Sequence, residues 1–252
     1  MIVGIAGAAE FGRARDDTTA GNESQISWSG SRAVSIARRA IIRRTRCRGS
    51  EQTEKAVDLV PQTVRAVMQD LEARDALDRT DGTPHSRRLR SIAPEVGQFL
   101  MTIALASRAA TIVEVGTGGG YSTLWLALVA ERIGGHVTTF EIDPAKAALA
   151  RQTFANAGLE RFIDLREGDG CEGLLKFAGR ADLVFVDSEK RDYVRLLGPA
   201  IEALRQGGLL VADNMTTHAS ELETFRVEAA ADPRLSGLVV PLGGGEFVAV
   251  RL

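Results

Sequence analysis

From Thr111 onward the chain alternates short, β-branched apolar runs with longer segments of helical periodicity, and this alternation restricts the fold more than any other feature. Thr111 to Val115 precedes a glycine-rich turn and a helical pattern from Tyr121 to about Arg132. His136 to Phe140 precedes a second pattern from Pro144 to Ala157. Phe162 to Leu165, Leu183 to Val186 and Leu209 to Ala212 continue the series, the last opened by Gly207-Gly208. Strands separated by helices of this length pair in parallel, because a parallel partner is reached only through a long crossover. The ending differs. Leu238 to Leu242 and Glu246 to Arg251 flank Gly243-Gly244-Gly245, which predicts an antiparallel hairpin.

Ahead of the series, Val57, Val60, Val64, Met68 and Leu71 recur at three- and four-residue spacing and predict an amphipathic helix from about Thr53 to Ala76. A polar loop follows with Asp81-Gly82 and Pro84 as breakers, and Pro94 opens a second helix running to about Ser107. The organisation is therefore an Arg-rich extension over 1–52, N-terminal helices over 53–108, and an α/β core over 109–252. The extension holds nine Arg and four acids in residues 1–50, leaving 22 basic and 29 acidic residues in the remainder. A folded part with a balance of −7 argues against a large electrostatic footprint for nucleic acid. The extension reads either as a flexible appendage, including a start codon chosen too far upstream, or as a targeting or nucleic-acid-binding arm.

Hydrophobic residues at 44% suffice for a core and exclude a disordered chain. The longest apolar stretch, Phe99 to Val113, is broken by Arg108 and falls short of the roughly 18 residues that a membrane helix needs. Met1 to Ala9 has no basic flank and is cut by Glu10, so no secretory signal is expected. Two cysteines, Cys47 and Cys171, form no metal or disulfide framework and suit a reducing cytoplasm.

The chemistry concentrates at the expected strand ends. Glu114-Val-Gly116-Thr117-Gly118-Gly-Gly120 lies between the first strand and its helix, where glycines permit a tight turn and close approach of a ligand. It is neither a dinucleotide fingerprint, since Tyr121 occupies the last Gly/Ala position, nor a Walker loop, since it has no lysine. Glu141 ends the second strand, where a carboxylate can accept from ribose hydroxyls; Glu167-Gly168-Asp169-Gly170 ends the third, where Asp169 can face an adenine amino group. Taken singly, each acid also reads as a solvated loop residue or a helix cap. The fourth strand ends in Asp187-Ser-Glu-Lys190 and the fifth in Asp213-Asn214. Two carboxylates and an amide oxygen make a hard, oxygen-only donor set that suits Mg²⁺ and does not suit zinc.

The glycine turn resembles motif I of the class I methyltransferases that use S-adenosylmethionine. Together with Asp187, Lys190, Asp213-Asn214, the lead-in Gly97-Gln98-Phe-Leu and the closing Asp232-Pro-Arg and Pro241-Leu-Gly, it makes residues 57–252 similar to the catechol and caffeoyl-CoA O-methyltransferase family, in a bacterial form. That resemblance implies a Rossmann-like, doubly wound, seven-stranded sheet, mostly parallel with an antiparallel C-terminal hairpin and helices on both faces. It implies cofactor contacts at Ile92, Glu114, Gly116, Thr117, Gly118, Gly120, Ser122, Glu141, Ile142, Asp169, Gly170 and Asp187, with Ser122 at the position that hydrogen-bonds the methionyl carboxylate. It implies metal ligation by Asp187, Asp213 and Asn214, and Lys190 as general base. Two departures concern the acceptor side: Gly244 stands where plant-like members often carry Asp, and the loop after Asn214 is short.

The implied reaction follows from charge. A phenol with a pKa near about 10 is a poor nucleophile at neutral pH, and a nearby metal favours its phenolate. The same positive surroundings should depress the Lys190 ammonium toward use as a base. The expected acceptor is a small aromatic hydroxyl compound, the expected assembly a homodimer through the N-terminal helices. The alternatives are the same machinery acting on a hydroxylated uridine of tRNA, and a non-catalytic cofactor-binding protein. His218 reads as a surface residue near a helix start, Tyr193 and Trp125 as packing, and His85, Arg87, Arg88 and Arg90 either as a solvated loop or as ligands of an anionic acceptor.

Overall fold

The alternating runs form one sheet. In the computed structural model, which describes residues 59–252, β1 (Thr111–Val115), β2 (His136–Glu141), β3 (Ile163–Glu167), β4 (Ala181–Val186) and β5 (Leu204–Ala212) run parallel. β6 (Leu235–Val240) and β7 (Glu246–Arg251) are antiparallel, with β7 inserted between β5 and β6. The order is β3-β2-β1-β4-β5-β7-β6. It reverses between β1 and β4, the switch point at which open α/β sheets bind ligands beyond the strands' carboxyl ends. The helices are α1 (Gln62–Asp78), α2 (Pro94–Ala106), α3 (Tyr121–Ile133), α4 (Pro144–Ala157), α5 (Gly170–Leu174), α6 (Tyr193–Ala203) and α7 (Glu223–Ala231). The Arg-rich extension and the first residues of the anticipated N-terminal helix, Val57 included, lie outside the described residues.

Strand side chains alternate between two buried faces. Ile112, Leu183 and Phe185 join α1 to α4 in one apolar cluster, while Val113, Val184 and Val186 join α5 to α7 in the other. A sheet covered on both sides needs largely apolar strands, which is why β1 apart from Glu114 and β4 from Leu183 onward read as apolar runs. The N-terminal helices are part of the same unit as the sheet: Val64, Met68, Val96 and Leu100 belong to the cluster that holds Leu124 and Val211. α2 lies tight on α3 because Gly97 has no side chain; a Cβ there would overlap the Trp125 indole.

Local chemistry moves several boundaries. α1 begins at Gln62, because Pro61 supplies the N-cap position and biases the residue before it away from helix. β5 begins at Leu204, with Gly207-Gly208 inside it: Ala181 pairs with Leu204 and Leu183 with Leu209, so the glycines form a bulge and do not open the strand. β6 runs from Leu235 and stops before Pro241, which has no N–H to continue a ladder. β2 and β3 end at Glu141 and Glu167, the glutamates expected at their tips. α4 starts where its composition says it should: Asp143 accepts from the Ala145 N–H at 2.8 Å and Pro144 occupies N1.

Candidate active site

The tip of β1 turns sharply through Gly116, Gly118 and Gly120, all with positive φ (102°, 54° and 91°), before α3 begins. L-residues rarely adopt these values. Glu114, the last inward-facing polar residue of β1, is fully buried and accepts from Ser122 Oγ (2.6 Å), Thr123 Oγ1 (2.5 Å) and Thr139 Oγ1 (2.6 Å). Burial still dominates and raises its carboxyl to about 7, against the three hydroxyl donors. Ser122 therefore commits its one proton to Glu114, and Thr117 Oγ1 completes the chain against Thr139 at 2.6 Å.

Glu141 is buried at the tip of β2 and is not a solvated acid. One oxygen accepts the Gly118 N–H at 2.8 Å and the other the Asp143 N–H at 2.9 Å, so it braces the glycine turn while retaining further lone pairs. Ile142 beside it is 75% exposed, an apolar surface at the mouth of the turn. Asp169 does cap a helix: it accepts the Cys171 N–H at 2.8 Å, while its second oxygen pairs with Arg195 at 2.6 Å, and that hydrogen bond holds its carboxyl below the usual range. Gly170 next to it lies against Val115, with no room for a Cβ. Ile92 is buried among the N-terminal helices, in the strap leading into α2.

On the other side of the switch point, Lys190 Nζ lies 3.4 Å from Asp187 Oδ1 and donates to the Ser188 carbonyl at 3.1 Å. Both side chains are largely enclosed, 13% and 18% exposed. Burial pushes the Asp187 carboxyl above the ordinary carboxylate range; Asp213 adds to this, and Lys190 and Arg90 oppose it. Asp213 is buried, Asn214 sits at φ 74°, and the side chains of both converge on Gly244, whose absent Cβ would lie 2.9 Å from Asn214 Nδ2 and from Asp213 Oδ1. A Cβ at residue 244 would need the ends of those two side chains to shift.

Two residues of this site escaped the sequence reading. Glu246 opens β7 with no exposed surface, and neither of its oxygens has a hydrogen-bond partner among the described residues. Burial first, then Asp213, drives it strongly toward its protonated form. The register that pairs Ala212 with Phe247 brings it beside Asp213. Tyr193 packs in the core as expected, but its hydroxyl also lies 3.3 Å from the Val186 carbonyl and 3.2 Å from that of Asp213, tying the tips of β4 and β5 together. His218 is in the turn that leads into α7, half-buried, with its ring 2.7 Å from Glu221.

Among the described residues no three His, Cys, Asp or Glu side chains form a metal-binding group. The protein's contribution to a cation would accordingly be Asp187 and Asp213 with the Asn214 amide. That donor set fits Mg²⁺, which keeps several waters and takes only one or two carboxylates. The neighbouring carboxylates of Asp187 and Asp213 are of the sign a cation would neutralise.

A doubly wound sheet with a glycine turn at its switch point and acids on adjoining strand tips defines a Rossmann-like, cofactor-binding α/β enzyme. The chain belongs to the O-methyltransferase family, whose family model matches residues 75–252. A protein assigned as an O-methyltransferase in Mycobacterium tuberculosis is 36% identical over 175 residues, 64% of this chain and 78% of that one. The catechol O-methyltransferase of Niastella koreensis is 34% identical over 144 residues, and the match spans 56% of this chain and 65% of that protein's length. Among solved structures, the O-methyltransferase from Bacillus cereus in complex with SAH superposes with a TM-score of 0.64 at 24% identity, over 74% of this chain and 91% of that one. The SAH-bound methyltransferase of Podospora anserina gives 0.66 at 20% identity, over 77% and 89%. At those identities the likeness concerns the fold.

Proposed function

We propose that this O-methyltransferase moves the methyl group of S-adenosylmethionine to one hydroxyl of a small catechol-like acceptor, with Lys190 as general base and Asp187, Asp213 and Asn214 as the ligands of a divalent ion, most simply Mg²⁺. One observation carries the reading: the enclosed Lys190–Asp187 pair, 3.4 Å apart, lies directly under the glycine turn, because Gly116 packs on the Asp187 carbonyl. The cofactor supplies an electrophilic methyl group, and the ion supplies positive charge at the acceptor oxygen.

The chain's own residues do the rest. Glu141 steadies the Gly118 N–H and offers its remaining lone pairs to ribose hydroxyls, while Ile142 gives an apolar face to the base and Asp169 takes its amino group. Ser122 is within reach of the methionyl carboxylate only by releasing its proton from Glu114. Lys190 would take up the acceptor proton, and the fixed spacing of the glycine turn and the β4 tip would hold the acceptor against the cofactor for in-line transfer. A vicinal diol could offer both of its oxygens to a divalent ion held by Asp187, Asp213 and Asn214, which is the reason to prefer a catechol over a simple phenol.

The test is transfer of label from methyl-labelled S-adenosylmethionine to a panel of catechols, simple phenols and bulk tRNA, with and without chelator. Label in catechols that disappears with chelator and returns with Mg²⁺ is expected. Undiminished transfer in chelator would remove the metal from the reading, and label confined to tRNA would replace the acceptor.

A further inference from the structure

We propose that Arg90 selects the acceptor: its guanidinium takes a carboxylate carried on the acceptor ring, in exchange for Glu189, so that the preferred substrate is an anionic dihydroxy-aromatic compound. The inference rests on the catechol reading above and adds the class of ring substituent.

Of the basic residues between α1 and α2, only Arg90 reaches the lysine loop. Arg88 turns back to donate to the Thr83 carbonyl at 2.9 Å. Arg90 Nη2 instead donates to Glu189 Oε1 at 2.6 Å, next to the proposed base. The strap that carries it is fixed on both sides. The Leu89 N–H donates to Asp78 at 3.1 Å and the Ser91 N–H to Asp75 at 3.4 Å, both buried carboxylates of α1. Leu89 and Ile92 are buried on either side, and the Leu89 carbonyl lies over Gly118. Between these anchors Arg90 adopts φ 53°, a left-handed conformation that a non-glycine residue holds only where the surroundings impose it. The strap therefore presents this side chain across the mouth formed by the glycine turn and the β4 tip.

The guanidinium has capacity left. Its Nε and Nη1 have no partner among the described residues, whereas a carboxylate can engage a guanidinium through two parallel hydrogen bonds. The existing pair is open to water, 31% and 49% exposed, so little opposes exchange. Asp187 and Asp213 would hold the divalent ion beside Lys190, which leaves Arg90 as the positive group on the strap side for a ring substituent. Position and charge together favour a ring whose carboxylate points toward the strap while its hydroxyls point toward Lys190.

The experiment compares kcat/KM for 3,4-dihydroxybenzoate and 4-methylcatechol, rings matched except for the carboxylate, in wild type, Arg90→Gln, Arg90→Lys and Glu189→Gln, with thermal melting as a folding control. Wild type should prefer the benzoate. The preference should fall about tenfold or more in R90Q, fall less in R90K, which keeps charge without the fork, and rise through a lower KM in E189Q. A preference unchanged in R90Q, or kcat falling equally for both acceptors, overturns the proposal. Wild-type turnover of both acceptors without preference overturns it while leaving the catechol reading intact. Turnover of neither overturns both.

Discussion

Gly116 is packed so closely on Asp187 that a Cβ at residue 116 would overlap the Asp187 carbonyl oxygen. The contact joins the cofactor turn on β1 to the acid that faces Lys190 on β4, across the switch point of the sheet. It is sustained by φ 102° at Gly116 and by the Asp187 N–H donating to the Val115 carbonyl at 2.9 Å. Neither half of the site can shift without the other.

Gly116→Ala should for that reason damage both halves. A methyl group must push back the β4 tip and hold a positive φ that alanine disfavours. A loss of more than about 2 kcal/mol in unfolding free energy is expected, together with weakened binding of S-adenosylhomocysteine. Denaturant unfolding and calorimetric titration measure the two. Intact cofactor affinity in a stable variant would mean that the turn relaxes without reference to Asp187.

Lys190→Ala separates chemistry from binding. Removing a general base lowers turnover by about 10²–10⁴-fold. Lys190 bonds to Asp187 and Ser188 and not to the glycine turn, so affinity for S-adenosylhomocysteine should stay within a few-fold of wild type. Rapid-quench methyl transfer and titration with the product cofactor read the two effects. Equal loss of both would make Lys190 a structural partner of Asp187.

Much of this site was legible because it is written locally. Each strand-end motif from Glu114 to Asn214 sits at the edge of its own short strand, and the parallel order of the sheet gathers those edges at one end. What was missed depends on register or on a backbone. Glu246 is a lone acid opening an apolar strand, and only antiparallel pairing of β5 with β7 brings it to Asp213. Its one sequence signal is a charge beginning a run that is otherwise apolar. The Tyr193 hydroxyl was hidden because its partners are main-chain carbonyls, which have no sequence signature. The bulge in β5 was misread since Gly207-Gly208 look alike before a strand and within one. The bond from Ser122 to Glu114, eight residues back, was also hidden, because it depends on how the glycine turn folds α3 against β1.

Glu114 should make the cofactor-free protein less stable as pH rises. Its carboxyl titrates at 4.5 without burial and at about 7 when folded, so between these values the folded chain holds a proton that the unfolded chain has released. Stability from this group is full below pH 4.5, declines through the window and is lost above pH 7, a change of about 3 kcal/mol. Glu114→Gln has no such titration, and the three hydroxyls around it can rotate to accept from the amide. The melting temperature of wild type should therefore fall relative to that of E114Q between pH 4.5 and 7, measured without cofactor. Parallel curves across that range would show that Glu114 stays ionised in the fold.

Tyr193→Phe tests whether the strand tips need their tie. The hydroxyl is shared between the Val186 and Asp213 carbonyls in a fully buried position, and the ring keeps its edge contacts to Phe225 in the variant. Packing is conserved, so the loss is that of one buried hydrogen bond shared by two acceptors, about 1–2 kcal/mol. A merely structural role would stop there. If the tie positions Asp187 against Asp213, the Mg²⁺ concentration for half-maximal methyl transfer should also rise several-fold, while affinity for S-adenosylhomocysteine, whose proposed contacts lie mainly at the tips of β1 to β3, stays within a few-fold of wild type. Metal titration of activity at saturating cofactor distinguishes the two, and an unaltered Mg²⁺ requirement would reduce Tyr193 to a core residue.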